Sequence, residues 1–202
     1  MQAFFLSTAD RSLMQPIKTL SALAAALLLA ALPAWAQTVR LTTTEGDIRI
    51  ELDAQKAPKS VDNFVKYVKA GHYNGTIFHR VIDGFMIQGG GFTTKLEQRP
   101  TRPPIPLEAG NGLTNVRGSI AMARTANPNS ATSQFFINVV DNPGLDAANA
   151  RDGQGYAVFG HVVEGIEVVD KIRTKPTGAQ GMHQNLPLTP VIITKAVVEP
   201  QK

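Results

Sequence analysis

The sequence predicts a mainly β fold, a closed eight-stranded antiparallel β-barrel capped by two α-helices. Three observations lead to this prediction. Hydrophobic residues mostly alternate with a period of two, turn residues bound the alternating segments, and helical spacing occurs in only two places. With 202 residues, 43% of them hydrophobic and 18% charged, the chain is long enough for one well-filled core and too apolar for a disordered tail.

The predicted barrel opens with a hairpin that is followed by a helix. Residues 39–43 and 48–52 alternate in hydrophobicity on either side of a Glu-Gly-Asp turn. Residues 57–70 then change to helical spacing, with Pro58 suited to the first turn and Gly71 to the end. We therefore expect two strands and the first helix in this part of the chain.

Later segments supply the rest of the barrel. Five more strands are predicted, each bounded by Gly, Pro, Asn or Asp, at residues 76–82, 85–89, 118–124, 134–139 and 157–163. Residues 166–173 have the spacing of a short helix. Residues 191–198 are β-branched on both faces, which indicates a last strand buried at a barrel seam. The turn-rich segments 100–106 and 174–190 are predicted to be long loops.

The first 36 residues have the pattern of a cleaved secretory signal. Basic residues precede an apolar run over 20–32, and Ala34-Trp35-Ala36 places small residues at the two positions that a signal peptidase reads. A membrane anchor is the weaker alternative, because the run has about 13 residues and a spanning helix needs about 20. We therefore assign residues 1–36 to a signal peptide and residues 37–202 to a single domain.

Removal of this signal would leave a mature chain that begins at Gln37. Two starts are compatible with the signal, Met1 and Met14, and the second gives a signal of more usual length. The mature chain has no cysteine that could carry a lipid anchor. For a Gram-negative host, these features predict a periplasmic protein with no membrane anchor after cleavage.

Composition and spacing exclude several classes of function. The chain has no cysteine, which excludes disulfides, thiol nucleophiles and thiolate metal sites. A net charge of +4 without a basic run argues against nucleic acid as a partner. The histidines lack the spacing of metal ligands, and His79 is predicted to be a hydrogen-bonded core residue. The glycine run 89–91 lacks a phosphate-binding fingerprint and indicates a bend where backbones approach closely. We expect neither a metal ion nor a cofactor.

The segment 78–92, FHRVIDGFMIQGGGF, is the most informative part of the chain for chemistry. A tight hairpin here places Met86 and Gln88 on one strand face and Arg80 on the partner strand, with Phe85 at the turn. One cation, one amide and two large apolar groups would then line a common pocket. The alternative is a surface arginine beside ordinary core residues, which would be the better interpretation of an isolated arginine.

Two later motifs favour a functional site. They are IAMAR at residues 120–124 and QFFIN at residues 134–138, both in a strand context. Together with FHR at 78–80 and GFMIQGG at 84–90, they resemble motifs of the cyclophilin family of peptidyl-prolyl cis-trans isomerases. The resemblance extends over about residues 39–198 and includes a later YAVFG block. Its details are most similar to bacterial, especially periplasmic, members.

The resemblance implies an enzyme that interconverts cis and trans Xaa-Pro peptide bonds without a cofactor. No covalent bond is made or broken in this reaction, so no nucleophile is required. By the resemblance, Arg80 is the catalytic donor to the prolyl nitrogen in the twisted transition state. Gln88 is the second catalytic residue, which orients Arg80 or bonds the peptide backbone.

The resemblance also implies a substrate groove. Its expected residues are Phe85, Met86, Phe136 and Leu145 in an apolar cup for the proline ring, Ala123, Arg124 and Gln134 along the groove, and Tyr156 as an aromatic wall. Arg124 stands where many members have asparagine, and it is expected to add positive charge beside the groove. Tyr156 replaces a histidine of many eukaryotic members. Gly144 replaces a tryptophan that contacts the cyclic peptide inhibitor cyclosporin, so weak cyclosporin inhibition is expected.

The leading hypothesis is a secreted, monomeric isomerase that assists the folding of exported proteins. Its expected partners are proline-containing unfolded or flexible polypeptides. The main alternative is a binding module that retains the groove, turns over poorly and acts as a holdase, and a purely structural barrel is the third. Arg80 distinguishes them, because a non-catalytic descendant does not need a transition-state donor.

Overall fold

The computed structural model describes residues 37–200, so the predicted signal peptide lies outside the described residues. In chain order its elements are β1 (Gln37–Thr43), β2 (Gly46–Leu52), α1 (Pro58–Lys69), β3 (Thr76–Ile82), β4 (Met86–Thr93), β5 (Ser119–Met122), β6 (Phe135–Asn138), a 3-10 turn (Pro143–Leu145), β7 (Val158–Glu164), α2 (Ile166–Arg173), β8 (Thr177–Gln180), β9 (His183–Pro187) and β10 (Ile192–Val198). Within this part of the chain, no helix has the length and apolar character that crossing a membrane requires.

Eight of the strands described between residues 37 and 200 form a closed barrel. Their order around the barrel is β1-β10-β3-β4-β6-β5-β7-β2, and neighbouring strands are antiparallel. β8 and β9 form a separate two-stranded hairpin. The prediction of an eight-stranded antiparallel barrel with two helices is therefore confirmed.

The barrel interior is filled by side chains that alternate along the strands. In the β1–β2 pair, Val39 lies opposite Ile50 and Leu41 lies opposite Ile48, and all four residues are buried. Every second residue points inward because successive side chains of a strand project to opposite faces. The alternating pattern that identifies these strands in the sequence is thus the pattern that fills the core.

Helix α1 adds an aromatic side chain to this interior. Phe64 is fully buried, and its ring centroid lies 5.2 Å from those of Tyr73 and Phe159 and 5.5 Å from that of Phe135. Burial of a side chain of this size stabilises the fold by about 1.5–3 kcal/mol. The helix therefore packs through one apolar face, as its sequence spacing predicts.

A second apolar cluster lies on the outer face of the barrel. Along β4, Ile87 belongs to the interior cluster, whereas Met86 belongs to the second one. Along β6, Phe135 packs in the interior, and Phe136 joins Met86 in the second cluster. The strand period of two thus builds an apolar surface outside the barrel, where a ligand can reach it.

The segment 174–190 corrects one prediction, because the sequence predicts a loop there and the structure forms the β8–β9 hairpin. These strands are short and mostly polar, so they carry little of the alternating hydrophobicity that identifies a strand. Leu186 is buried and anchors the hairpin against the body of the protein. Tertiary packing, which the local pattern does not record, decides the structure of this segment.

His79 faces away from Arg80 and packs near this hairpin. It is 5% exposed, and its ring centroid lies 4.7 Å from that of Phe92 and 6.2 Å from that of His183 on β9. The residue is buried as predicted, but its Nδ1 atom has no hydrogen-bond partner among the residues that the structure describes. Burial lowers the pKa of His79 to about 4, and the nearby His183 adds to this effect. The imidazole is therefore neutral at pH 7.

The glycine run lies inside β4, which continues to Thr93 instead of ending at residue 89. Gly90 has a φ of +84°, and a Cβ atom there would lie 2.8 Å from the Tyr73 ring and 2.9 Å from the Phe135 ring. The predicted close approach is present, but it occurs within a strand and not at a bend. Glycine is required at this position by both the backbone angle and the space.

Candidate active site

A cavity of about 230 Å³ opens on the outer face of the barrel, at the second apolar cluster. Nine residues line it: Arg80, Phe85, Met86, Gln88, Ala123, Arg124, Phe136, Leu145 and Tyr156. The fold brings these nine of the ten predicted site residues together from well-separated parts of the chain. The tenth, Gln134, is bonded to Gln88 and lies outside the cavity lining.

Arg80 supplies a cation at this cavity. It lies on β3 opposite Gln88 of β4, and its Nη1 atom is 3.5 Å from Oε1 of Gln88. The central carbon of the guanidinium is 6.0 Å from the centroid of the Phe85 ring. Within residues 37–200, Arg80 forms no ion pair, and its contact with Gln88 is long for a hydrogen bond. The guanidinium therefore retains N–H donors for a bound ligand.

Gln134 holds the amide of Gln88 in place. The Nε2 atom of Gln88 donates to Oε1 of Gln134 at 2.9 Å. Gln134 fits here because Gly91 has no side chain, and a Cβ atom at Gly91 would lie 2.6 Å from Gln134. The carbonyl end of the Gln88 amide is left on the side of Arg80. The two glutamines thus form a hydrogen-bonded pair next to Arg80.

The other walls of the cavity are mostly apolar. Met86 and Phe136 are 1% and 4% exposed, and Phe85 and Leu145 are half-buried beside them. The Tyr156 ring meets the Phe136 ring edge to face, with centroids 5.5 Å apart. The cavity can therefore hold a small apolar ring on one side while Arg80 and Gln88 face its polar side.

Arg124 corrects a second expectation, because its side chain is 2% exposed and its charge is paired. Its Nη2 atom donates to Asp152 at 2.5 Å, and its guanidinium lies 4.5 Å from the centroid of the Tyr156 ring. The hydrogen bond from Arg124 is the main cause that lowers the pKa of Asp152 to about 2. The side chain thus contributes structure at the edge of the cavity instead of free positive charge. Sequence reasoning missed Asp152, since 28 residues separate it from its partner.

A buried polar network supports the cavity from the β6 side, and sequence reasoning missed it as well. Asn142 donates from Nδ2 to the carbonyl oxygen of Phe85 at 2.8 Å and to Oδ1 of Asn138 at 2.7 Å. Asn138 is fully buried and donates in turn to Oγ of Ser119 at 2.8 Å. Each of these amide donors meets an oxygen acceptor, so the network fixes the backbone next to Phe85. In the sequence, the close spacing of Asn138 and Asn142 is the feature that could have indicated this network.

Two other depressions compete with this cavity in size. One of about 460 Å³ lies beside β2 and β7, with Glu51, Asp53 and His161 among its lining residues and no Lys or Arg among them. The other, of about 710 Å³, is shallow and shares Phe85, Leu145 and Tyr156 with the cavity. Volume does not decide between them. The smaller cavity is the one where a cation, an amide and an apolar cup converge.

The lining of the cavity restricts its chemistry. None of the nine lining residues is Ser, Thr, Lys, His, Asp or Glu. The lining therefore supplies a permanent cation and fixed hydrogen-bonding groups instead of a nucleophile with its general base. Such an arrangement suits a reaction in which electron density develops on a ligand atom without bond cleavage.

Sequence comparison agrees with this chemistry. The chain matches the family model described as "Cyclophilin type peptidyl-prolyl cis-trans isomerase/CLD" over residues 38–198. It is 56% identical over 170 residues to peptidyl-prolyl cis-trans isomerase A of Dickeya dadantii, a match that covers 82% of this chain and 88% of that protein. It is 54% identical over 161 residues to peptidyl-prolyl cis-trans isomerase B of Escherichia coli, covering 79% of this chain and 98% of that protein.

Structural comparison leads to the same family. A cyclophilin-type peptidyl-prolyl cis-trans isomerase of Cryptosporidium parvum superposes with a TM-score of 0.68 at 29% identity, covering 83% of this chain and all of that one. The crystal structure of the same protein in the presence of the dipeptide Ala-Pro superposes with a TM-score of 0.67. Family motif, fold and cavity chemistry agree, and the chain belongs to the cyclophilin-type peptidyl-prolyl cis-trans isomerases.

Proposed function

We propose that this isomerase works without covalent chemistry and that Arg80 stabilises the twisted peptide bond. The observation that carries the proposal is the guanidinium of Arg80, which has no ion-pair partner within residues 37–200 and lies at the edge of an apolar cup. The cup takes the proline ring, and Arg80 faces the bond that rotates. The reaction then needs only a better fit to the twisted bond than to either planar form.

The energetics of amide rotation indicate what Arg80 must supply. An Xaa-Pro bond resists rotation with a barrier of about 20 kcal/mol, because the nitrogen lone pair is conjugated with the carbonyl group. In the twisted state this lone pair is localised and can accept a hydrogen bond. A hundred-thousandfold acceleration corresponds to roughly 7 kcal/mol. Removing one preorganised donor typically costs about 3–4 kcal/mol, so a charged donor can supply about half of this stabilisation.

The remaining residues hold the substrate while the bond turns. Phe85, Met86, Phe136 and Leu145 would enclose the proline ring, so that the preceding carbonyl group is the part that moves. Gln88, held by Gln134, would keep Arg80 in place or accept a backbone N–H of the peptide. The relative from Cryptosporidium parvum, whose crystal structure was determined in the presence of Ala-Pro, supports a prolyl ligand for this class of cavity.

The cellular role that we propose is the folding of exported proteins in the periplasm. The apolar run over residues 20–32 and the Ala34-Trp35-Ala36 pattern support export and cleavage. The partners are flexible polypeptides that contain proline, which a monomer can engage one segment at a time. An open cavity on the outside of the barrel suits such chains, because they need not enter the core.

The proposed maturation predicts an N-terminus at Gln37. Mass spectrometry of the protein recovered from the envelope of its host measures this directly. A mature chain with residues 37–202 supports export with cleavage. A chain that retains residues 1–36 in the envelope fraction would favour an anchored protein instead.

The proposed role in folding is tested with the mature chain and a client whose refolding is limited by prolyl isomerisation. We expect substoichiometric amounts of the chain to accelerate the slow refolding phase. A holdase would reduce aggregation without accelerating that phase. This second result would contradict the proposed folding role, even if short prolyl peptides were turned over.

A further inference from the structure

Arg124 makes an unusually complete set of contacts for an arginine at the edge of a cavity. Its Nε atom donates to the carbonyl oxygen of Gly155 at 2.9 Å and its Nη1 atom to that of Thr125 at 3.0 Å. Its Nη2 atom donates to Asp152 at 2.5 Å. With a side chain only 2% exposed, the guanidinium is buried and bonded on all three nitrogen atoms. Burial and the Asp152 carboxylate therefore compensate most of this charge within the protein.

These contacts converge on the segment that carries Tyr156. Oδ1 of Asp152 accepts the backbone N–H groups of Gln154 and Gly155 at 3.0 and 3.2 Å, so the carboxylate ties the segment to Arg124. Gly155 has a φ of +68°, and a Cβ atom there would lie 2.5 Å from the backbone nitrogen of Ala147. The chain is therefore drawn tightly together just before Tyr156.

Two neighbouring side chains contact the ring of Tyr156. The guanidinium of Arg124 lies 4.5 Å from the ring centroid, and Phe136 meets the ring edge to face at 5.5 Å. Of these two neighbours, Phe136 offers only an apolar contact, whereas Arg124 adds a charge. Loss of the guanidinium would release the ring and the segment before it, while leaving Phe136 and Met86 buried in the second cluster.

We propose that Arg124 is a positioning residue, whose guanidinium holds the Tyr156 ring in place as one wall of the cavity. The inference rests on the proposed function, because it assumes that the cavity binds proline. It makes Arg124 a determinant of how well the substrate is held, acting through Tyr156 and not by contact with the reacting bond. A fixed wall preserves affinity because no ordering is needed when the substrate binds.

A double-mutant cycle tests this role. We expect Arg124→Ala to raise KM for a prolyl tetrapeptide about tenfold and to change kcat by less than about twofold, because a wall holds planar and twisted substrate alike. In a Tyr156→Ala background, the further change Arg124→Ala should alter kcat/KM by less than about twofold. Equal effects of Arg124→Ala in both backgrounds would overturn the proposal.

Two further variants keep the test decisive. Arg124→Lys keeps the charge but lacks the flat guanidinium and the Nε donor, and we expect it to raise KM partially. Asp152→Asn weakens the same ion pair by changing an exposed residue, and it should also raise KM. It replaces Arg124→Ala as the test if that variant does not fold. Arg102→Ala is the control, because it removes an exposed arginine that does not line the cavity. If Arg102→Ala raised KM as Arg124→Ala does, net charge and not positioning would be responsible.

Fluorine NMR of protein labelled with 3-fluorotyrosine gives a readout that does not depend on activity. The chain has three tyrosines, and Tyr156→Phe assigns the resonance of interest. We expect Arg124→Ala to move the Tyr156 resonance toward that of free fluorotyrosine while Tyr67 and Tyr73 keep theirs. An unmoved Tyr156 resonance would overturn the positioning role. Full activity of an Arg80→Ala protein would contradict the proposed mechanism alone and leave this measurement valid.

Discussion

Arg80 and Arg124 line the same cavity, and their neighbours give them different roles. Arg124 is buried against Asp152, so a carboxylate compensates its charge at short distance. Arg80 has no carboxylate partner within residues 37–200 and faces apolar groups and an amide. An uncompensated guanidinium in a partly dry site acts more strongly on a ligand than a paired one. The resemblance placed both residues at the site, and the structure adds that the charge of Arg124 is paired whereas that of Arg80 has no carboxylate partner in the described part of the chain.

Gly144 gives a prediction at the scale of one residue. It is exposed on the 3-10 turn, and a Cβ atom there would have nothing within 4 Å. Because an aromatic anchor is missing at this rim, we expect cyclosporin to inhibit the wild type roughly a hundredfold more weakly than it inhibits members with tryptophan. Gly144→Trp should restore part of the inhibition and leave turnover of short peptides nearly unchanged. Titration of cyclosporin against both proteins measures this, and tight inhibition of the wild type would contradict it.

At the scale of elements, β4 organises the site. Its alternation sends Met86 and Gln88 to the cavity and Ile87 to the core. Its glycines leave room for Gln134 on one side and for Tyr73 on the other. A single strand therefore supplies both Met86 of the apolar cup and the amide that accompanies Arg80.

The glycines give a prediction for β4. Gly90→Ala should lower the free energy of unfolding by about 3 kcal/mol, because the new methyl group overlaps Tyr73 and Phe135 and the backbone angle is unfavourable. Gly84→Ala is the matched control, since Gly84 also has a positive φ of +73° but has nothing within 4 Å of an added Cβ. It should lose about 1 kcal/mol. Urea unfolding of both variants measures the difference. Equal losses would mean that the backbone angle alone, and not the lack of space for a methyl group, causes the loss of stability at Gly90.

The elements that the sequence predicts well are those with a strong local pattern. The strands β1, β2 and β3 and the helices appear within a few residues of their predicted bounds. The β8–β9 hairpin was missed because polar residues and glycine give it no alternation. The Arg124–Asp152 pair was missed because a loop brings the two residues together, and no periodic pattern records a loop conformation.

At the scale of the whole molecule, stability depends on keeping His79 neutral. The ring is buried near Phe92 and His183, and Arg80 and Gln134 are also close enough to influence its charge. Its pKa is about 4 in the folded protein and about 6.5 in an unfolded chain. As the pH falls below about 6.5, the unfolded state takes up the proton first. Folding therefore becomes less favourable between these two values.

This linkage predicts the pH dependence of unfolding. When the pH falls from 7 to 5, protonation of His79 in the unfolded state should lower the free energy of unfolding of the wild type by about 2 kcal/mol. His79→Phe should remove most of this dependence, whereas His161→Asn, which changes an exposed histidine, should keep it. Urea unfolding at both pH values gives the comparison. The same loss of stability in wild type and His79→Phe would show that other groups are responsible. The Asp152 pair is lost only at lower pH, because its pKa is about 2.

The central claim is that Arg80 stabilises the twisted bond, and one comparison tests it most directly. NMR exchange spectroscopy of a prolyl peptide measures the cis-trans rate with wild type, Arg80→Ala and Arg80→Lys, alongside peptide affinity and thermal melting. We predict that both variants fold, bind the peptide nearly as well, and lose kcat/KM by about a hundredfold or more, while Arg102→Ala retains it. A folded Arg80→Ala protein that catalyses exchange at the wild-type rate would contradict the account.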